Sequence, residues 1–465
     1  MARNQEKIRR TTMAQMTFTL EDGATIAVRG CQGSLEIQGH DDATVVIECG
    51  SRPMTSWQNG VLVIEVVEDD LRLVVPRYAE LTLGRVDGDV QVREVAAMEL
   101  AEVAGDLDVQ AIGRRAVIQR VSGDATLRDL ADLAIPGRVD GDLRVSNVSG
   151  ALQLGAVGGD LQLRDIRGSA AIRDIEGDAD IAEVASLVLS GRVGGAAQIS
   201  QVHAGRLELA AVDGDLELRE ITATCSVGHV GGDAHARGVM TALTLTGTVD
   251  GDFHAQSIAS GALTVSHVGG DLTLDDVWAS CRVHTVDGDA RMVSVRDLIL
   301  DGAVGGDLQL FNVTEGRIAL RHVGGDAELR DISAPCTLEA VDGDLVACDL
   351  AADLTLGRVG GDVHLERVRG LLRFDPRDVG GELSLADDLR FDPRNVGGDL
   401  SLADDLRAAP AIPPIPPVPP IPPMPPVPPV ASAASSSETR LAVLTSLEHG
   451  QISVEEAMAL LAHVR

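Results

Sequence analysis

A short motif, V-x-G-D, recurs along most of this 465-residue chain at a nearly fixed spacing. Its acidic position falls first at Asp89 and then at every eighteenth or nineteenth residue as far as Asp399, with intervals of 17 or 20 only near the ends. The chain contains eighteen such copies, one of which is degenerate and has Ala196 in place of the Asp. A fixed period of about 20 residues is typical of solenoids, in which each repeat forms one coil.

The apolar residues inside each copy follow the periodicity of β-strands. Counted from the Asp, they stand at offsets 1, 3, 6, 10, 12 and 15, so that each half of a copy contains an alternating apolar pair. One coil cannot bury its apolar face alone, and stacked coils would pair each strand in parallel with the same strand of the next coil. The sequence therefore predicts an all-β fold, a parallel β-solenoid of about 18 coils with an 18–19-residue period, and leaves a two-sided or three-sided cross-section open. In the copy that starts at Asp142, the six apolar positions are Leu143, Val145, Val148, Leu152, Leu154 and Val157.

The acidic residues of the motif should stack into one column, which we call the Asp column. We expect each side chain to accept backbone N–H bonds within its own turn, because Asp readily stabilises turns in this way. The less favoured alternative is calcium binding, since stacked carboxylates supply the oxygen ligands that calcium prefers. The repeat lacks the second Gly and the downstream Asp of the known calcium-binding β-roll pattern. The structural role is assigned to Asp89, Asp124, Asp271, Asp307 and Asp344, and the calcium alternative to Asp142, Asp160, Asp178 and Asp215.

The cysteines support the same register. Cys225, Cys281 and Cys336 all stand at offset 10, an inward position, and lie three coils apart. That separation is roughly 14 Å at the usual strand spacing, too far for disulfides, and predicts three small buried side chains. Cys348 stands at the outward offset 4, and we expect it to be the most reactive thiol.

The histidines occupy two outward columns. One group directly precedes V-G-G-D and is interpreted as charge balance for the Asp column; the other stands at offset 2, where we expect no Ser or Cys partner within reach. The first group is His229, His267 and His322, and the second is His235, His254 and His364.

Sequence motifs of catalysis are absent from this chain. It contains no G-x-S-x-G, H-E-x-x-H, C-x-x-C, P-loop or dinucleotide-binding glycine motif. Aromatic residues make up 2% of the composition, too few to provide the aromatic platforms of a polysaccharide-acting β-helix enzyme. We therefore expect a protein without catalytic residues, cofactor or resident metal.

The charge and the hydropathy of the sequence limit the classes of partner that this protein can bind. The formal net charge of −32 disfavours nucleic acid and anionic membranes, which require a basic surface. No run of residues approaches the 18 apolar residues of a membrane-spanning helix, and the first 20 residues contain no apolar core of a secretory signal. These features predict a cytoplasmic protein without membrane insertion.

The composition divides the chain into five segments. Residues 1–20 form an N-terminal tail, and residues 21–83 read as a β-rich cap that is out of register with the repeats. The solenoid covers residues 84–407. Residues 408–434 have a proline-rich pattern typical of a polyproline II spacer. Residues 435–465 contain two capping boxes, S-S-S-E and S-V-E-E, each followed by an apolar helical face.

The predicted C-terminal hairpin is too small to be stable alone. Its apolar side chains therefore need a partner, either a second copy of the hairpin or another protein. The side chains concerned are Leu441, Leu444, Leu447, Met458, Leu460 and Leu461.

Two stretches resemble known families. The sequence LVVPRYAELTLGRVDGDVQV at 73–92, with the V-x-G-D-L-x-L series that follows, resembles the bacterial "putative adhesin" β-strand-repeat family, and this resemblance covers residues 21–407. The sequence LAVLTSLEHGQISVEEAMALL at 441–461 resembles the SHOCT-like short helical hairpins that often follow such repeats. The resemblance implies a β-solenoid with an assembly role and brings no catalytic residues with it.

These observations favour a non-enzymatic protein in which a rigid acidic solenoid is joined through a proline-rich spacer to a hairpin for assembly or partner docking. One alternative is a polymer-forming cytoskeletal element similar to bactofilins. Another is an acidic surface that acts as an adhesin or as a mimic of DNA.

Overall fold

The computed structural model describes residues 14–20, 25–58 and 60–385. The chain divides into two units, Met1–Leu400 and Ser401–Arg465, and all described residues belong to the first. The described part is an all-β parallel solenoid of about 17 turns, which confirms the predicted fold class. The eighteenth copy at Asp399, the proline-rich segment 408–434 and the hairpin 435–465 lie outside the described residues.

The strands of the N-terminal end are short and include both parallel and antiparallel pairs. They are β1 (Ala14–Thr19), β2 (Thr25–Cys31), β3 (Leu35–His40), β4 (Thr44–Cys49), β5 (Thr55–Gln58), β6 (Val61–Ile64), β7 (Leu71–Pro76) and β8 (Glu80–Val86).

The remaining strands are parallel and belong to successive coils; several of them run through both halves of a coil. They are β9 (Val90–Val103), β10 (Leu107–Val121), β11 (Ala125–Val139), β12 (Leu143–Val148), β13 (Leu152–Val157), β14 (Leu161–Ile175), β15 (Ala179–Val193), β16 (Ala197–Val202), β17 (Arg206–Val212), β18 (Leu216–Arg219), β19 (Thr224–Val230), β20 (Ala234–Arg237), β21 (Leu243–Val249), β22 (Phe253–Ile258), β23 (Ala262–Val268), β24 (Leu272–Val286), β25 (Ala290–Val304), β26 (Leu308–Leu320), β27 (His322–Val323), β28 (Ala327–Ile332), β29 (Cys336–Val341), β30 (Leu345–Leu350), β31 (Leu354–Val359), β32 (Val363–Glu366), β33 (Leu372–Arg373) and β34 (Leu383–Leu385). A single turn of 3-10 helix, Pro376–Asp378, precedes β34.

The core consists of aliphatic columns, as the repeat predicts. Leu143 of β12 pairs with Leu161 of β14, which pairs with Ala179 of β15, so identical offsets stack from coil to coil. No polar or charged residue is buried in the described part of the chain. The six predicted core positions of the coil at Asp142 are at most 5% exposed: Leu143, Val145, Val148, Leu152, Leu154 and Val157.

A column of residues with left-handed backbone conformation bends every coil from the one at Asp89 to the one at Asp362. Offsets 3 and 6 are both buried although alternation would place them on opposite faces. The residue at offset 5 resolves this conflict because it adopts a positive φ, which turns the chain toward the core again. Asp or Asn occupies seven of these positions and Gly occupies one, Gly238, and these residue types tolerate such a conformation best. The non-glycine members have φ between 53° and 60° and are Glu94, Ala111, Asp129, Asn147, Asp165, Glu183, Gln201, Glu220, Ser257, Asp276, Ser294, Asn312, Asp331, Asp349 and Arg367.

The N-terminal end differs from the prediction. Residues 21–83 were expected to lie out of register, but β2 pairs in parallel with β8, and β3 pairs in parallel with β9. On their other side, β2 and β3 pair in parallel with β6 and β7. These two coils continue the solenoid, and the expectation is wrong for them because their turns differ from V-x-G-D although their strands match.

Antiparallel strands occur only at this end of the described chain. Strand β4 pairs antiparallel with β7 and with β1, and β5 pairs antiparallel with β6. These strands occupy the open edges of the outermost coil, which would otherwise offer unpaired backbone groups.

Candidate functional site

The Asp column is held together by bonds between coils. The coils from Asp89 to Asp362 are called the regular run, or the run. In the regular run, Oδ1 of one Asp accepts the backbone N–H of the next member of the column: the distance from Asp142 N to Asp124 Oδ1 is 2.8 Å, and from Asp160 N to Asp142 Oδ1 it is 3.0 Å. The donor therefore lies in the following coil, not in the same turn as we expected. The same bond is formed by the carboxylates of Asp89, Asp124, Asp271, Asp307 and Asp344 and by those of Asp142, Asp160, Asp178 and Asp215.

The glycine before each Asp leaves space for this bond. A Cβ placed on Gly159 would lie 2.3 Å from Asp142 Oδ1, and a Cβ on Gly141 would lie 2.3 Å from Asp124 Oδ1. Real Cβ atoms do not approach an oxygen so closely. The G-D pair is therefore one structural unit, in which the glycine admits the carboxylate of the preceding coil.

The degenerate copy interrupts the column. The backbone N–H of Ala196 donates to Asp178 Oδ1 at 2.8 Å, as in other coils. Ala196 has no carboxylate to offer to the next coil, where the column resumes with Asp215 and its bond from the N–H of Asp233 at 2.9 Å. The four residues proposed for calcium, Asp142, Asp160, Asp178 and Asp215, lie on both sides of this gap, and calcium binding there stays a prediction. One oxygen of each of these carboxylates already accepts a backbone N–H.

A polar groove lies beside the Asp column, along offsets 2 and 4 of successive coils. Near the N-terminal end, one part of this groove has a volume of about 870 Å³ and is lined by Gln91, Arg93, Asp108 and Arg128 among others. Two adjoining depressions share Arg144 with this part. We call this surface the groove face.

Neighbouring coils bind one another across the groove face. Gln91 Nε2 donates to Asp108 Oδ2 at 3.0 Å, and Gln162 Nε2 donates to Asp180 Oδ2 at the same distance. Arg164 reaches the same Asp180 carboxylate at 3.1 Å. These pairs fix the orientation of the side chains, so that the groove presents a preorganised set of donors and acceptors.

An ion-paired cluster lies at another outward position, centred on Arg138. Its guanidinium binds Asp140 at 2.6 Å and Glu176, two coils further on, at 2.9 Å. Hydrogen bonding to Arg120, together with that to Arg138, lowers the pKa of Asp140 below its usual value. Hydrogen bonding to Arg138 lowers the pKa of Glu176 in the same way.

The histidines that precede V-G-G-D do pair with acids, but not with those of the Asp column. His229 Nε2 lies 3.7 Å from Asp250, and His267 Nε2 lies 3.5 Å from Asp287. His322 repeats the arrangement with Asp342 at 3.6 Å. In each case the partner is the first acid of a D-G-D turn in the next coil.

The inward cysteines lie where the register predicts. Cys225, Cys281 and Cys336 are buried free thiols, and burial raises the pKa of each to about 12. Cys348 is partly exposed. The three buried thiols are therefore poor nucleophiles in the folded protein.

One prediction about the second histidine column is wrong. We expected no cysteine within reach of His364, but Val346 pairs with His364 and Cys348 pairs with Glu366 across two adjacent coils. The side chains of Cys348, His364 and Glu366 share the groove face, and their ligand atoms all lie within 4.8 Å of one another. Sequence reasoning missed the cluster because it compared offsets within a coil; aligning offsets 2 and 4 between neighbouring coils would have found it.

Comparisons with known proteins add little to this picture. No family model matches the chain, and no curated protein matches it. The crystal structure of a "putative adhesin" from Parabacteroides distasonis aligns with 63% of this chain and 95% of its own, at 13% identity and a TM-score of 0.16. Because that score is so low, the alignment supports no transfer of function.

No described helix has the length and apolar character needed to cross a membrane.

Proposed function

We propose that this protein is a non-enzymatic binding scaffold. The solenoid presents its acidic turns and its groove face to a cationic protein partner, and the C-terminal hairpin joins copies of the chain through the proline-rich spacer. The observation that carries the proposal is the groove face itself, whose polar side chains are held in fixed positions by hydrogen bonds between coils.

Rigidity supports a binding role. Each described coil is joined to the next by parallel strands and, at most turns, by the Asp bond, so few groups would have to be ordered when a partner binds. A preorganised surface loses less conformational entropy on binding than a mobile one. A long row of fixed polar groups suits an extended partner better than a small compact ligand.

The charge of the surface supports a cationic partner. Members of the Asp column such as Asp89, Asp160 and Asp215 are exposed, and they recur at a spacing of about 4.8 Å from coil to coil. Their potentials add, which attracts basic proteins and repels nucleic acid. Binding of a basic protein should therefore weaken as salt is raised, because salt screens exposed charges.

The hairpin part of the proposal rests on the sequence of residues 435–465. It is tested with the full-length chain and a variant carrying Leu444→Glu and Leu461→Glu, with Ser436→Ala as the control on the same segment. Light scattering should give a defined oligomer for the parent and the control and a monomer for the double variant. An identical oligomer in all three proteins would overturn the assembly role, and a monomeric parent would assign the hairpin to docking on another protein instead.

A polymer-forming role is a weaker candidate. Coils that stack end to end need open strand edges, but β4, β5 and β1 occupy edges at the N-terminal end. Electron microscopy of the purified protein distinguishes the two roles, since regular filaments would favour the polymer. Location in the cytoplasm stays a prediction.

A further inference from the structure

We propose that Cys348, His364 and Glu366 form a binding site for a zinc ion on the groove face. The three residues come from two adjacent coils, β30 and β32, which the parallel pairing brings side by side. The proposal rests on the geometry of these side chains, on the chemistry of the three donors and on the neighbours that orient one of them.

The distances suit a metal of the size of zinc. Cys348 Sγ lies 4.0 Å from Glu366 Oε2, and all three ligand atoms lie within 4.8 Å of one another. Two donors bound tetrahedrally to zinc are separated by about 3.4–3.6 Å. Small rotations of side chains on a partly exposed surface cover this difference, without any change in the backbone.

The donor set selects zinc among common divalent ions. A thiolate and an imidazole are ligands for zinc and other borderline-soft metals, whereas calcium and magnesium require oxygen donors. The thiolate and the carboxylate together supply two negative charges, which neutralise the dication. Three protein ligands leave one coordination position for water or for a group from a partner, which is the arrangement of an open zinc site.

The carboxylate of Glu366 is already oriented toward the thiol. Its Oε1 binds the guanidinium of Arg367, and its Oε2 is the oxygen nearest to Cys348. Arg367 is held in turn by both carboxylate oxygens of Asp349, at 2.6 and 2.7 Å. Outer residues that orient a metal ligand in this way are common around metal sites. Arg367 is therefore a positioning residue in this proposal.

The thiol itself is unusual in this chain. The sequence contains six cysteines, and five of them are buried, so Cys348 is the thiol that can reach a metal from solvent. Several other outward histidines have partners of their own: His229 bonds to a hydroxyl group, His267 pairs with a carboxylate, and His235 and His254 stack on each other at 6.0 Å between ring centres.

The experiment uses the full-length protein, reduced and freed of metal with a chelator, and titrated with Co²⁺ under anaerobic conditions. We expect one equivalent of Co²⁺ to bind and to give the near-ultraviolet charge-transfer band of a cobalt–thiolate bond, and Zn²⁺ to displace it. Cys348→Ser should abolish the band. His364→Ala and Glu366→Gln should each weaken binding at least about ten-fold, and Arg367→Ala should weaken it by a similar factor while the band persists.

His203→Ala is the control, because His203 is exposed and has no part in the proposed site. It should bind Co²⁺ as the parent does, and thermal unfolding checks that every variant remains folded. The proposal is overturned if no charge-transfer band develops in the folded parent, or if Cys348→Ser or His364→Ala binds as the parent does. Full binding by Glu366→Gln would exclude the carboxylate from the site and would overturn the three-ligand assignment.

Discussion

The N-terminal end and the regular run of the solenoid use the same coil but stack it differently. In the run, each coil rests on the one that precedes it in the chain, as β12 rests on β11 and β14 on β12. At the N-terminal end, β2 and β3 lie between an outer coil made of β6 and β7 and an inner coil made of β8 and β9. The outermost coil is therefore later in the sequence than the coil it covers.

The hydrogen bonds at the turns join coils that are neighbours in space, whatever the order of these coils in the chain. Asp70 of the outer coil accepts the backbone N–H of Ser34 at 2.9 Å, in the same way as each Asp of the run accepts the N–H of the next coil. The comparison teaches that the repeat encodes the shape of a coil and its contact with a neighbour. The order in which coils stack depends on the connecting segments, here those that contain β4 and β5.

The largest effect should come from filling the space beside a turn. Gly159→Ala would place Cβ 2.3 Å from Asp142 Oδ1 and 2.9 Å from the backbone carbon of Gly141, so the coils must separate. We expect the free energy of unfolding, measured in urea, to fall by about 2–3 kcal/mol. Gly33→Ala meets Asp70 at 2.6 Å but should cost less, because an end coil can open locally.

Gly113→Ala is the matched control for this pair. A Cβ at this position has Ala96 O at 4.0 Å as its nearest neighbour, and the change should be within about 0.5 kcal/mol. Equal losses for the variants at 159 and 33 would contradict the view that the end opens independently of the run.

The alkylation rates of the buried thiols allow a direct comparison of local opening in the two regions. Burial raises the pKa of Cys225 and Cys281, in the run, to about 12, and it also raises the pKa of Cys31 and Cys49 at the N-terminal end. Alkylation of such thiols near pH 8 needs local opening, since only about one in ten thousand is a thiolate at a pKa of 12. Peptide mass spectrometry should show the end pair modified at least about ten-fold faster than the run pair.

Cys348, which is partly exposed, should react before all four of these thiols and serves as the internal reference. Simultaneous modification of the end pair and the run pair would mean that the described solenoid opens as one cooperative unit.

A smaller effect should follow from repairing the interrupted column. Ala196→Asp supplies a carboxylate at a position where the neighbouring coils have one, and its Oδ1 can accept the N–H of Asp215. We expect an increase of about 1 kcal/mol in the free energy of unfolding, the usual net value of a hydrogen bond. Ala196→Asn provides the same acceptor without the charge. A loss with Asp and a gain with Asn would show that repulsion along the column exceeds the value of the bond.

The smallest effect concerns the exposed cluster around Arg138. Because the pKa values of Asp140 and Glu176 are lowered in the folded protein, their contribution to stability is present above the unfolded pKa values, about 3.9 and 4.3, and is lost as the pH falls. Arg138→Gln should raise both pKa values, as followed by NMR titration of the carboxyl groups, and should reduce this acid dependence. Unchanged titration midpoints would remove Arg138 as the cause, and Arg167→Gln, in a separate exposed ion pair, is the control.

Much of the fold was predictable because the apolar positions of the repeat are also the buried positions of the coil. Offsets such as those of Leu143 and Leu154 mark the core without any knowledge of the coil's cross-section. The donor to each Asp was not predictable, since a carboxylate at a turn can accept from its own turn or from the next coil. The positive φ of residues such as Asp129 and Asn147 was hinted at by residue type alone. The proximity of Cys348 to His364 requires the register between coils, which a single repeat does not contain.

The bond from each Asp to the following coil gives the solenoid a direction. Each regular coil contributes one acceptor, its carboxylate, toward one neighbour and one donor, its backbone N–H, toward the other. A whole coil inserted anywhere in the run therefore satisfies its own needs and those of its neighbours, and leaves no group in the column without a counterpart. The nearly identical sequences at 373–390 and 390–407 are what gene duplication leaves under this rule. The number of coils is thus a quantity that evolution can change one at a time, whereas the direction of the column is inherited by every coil that is added.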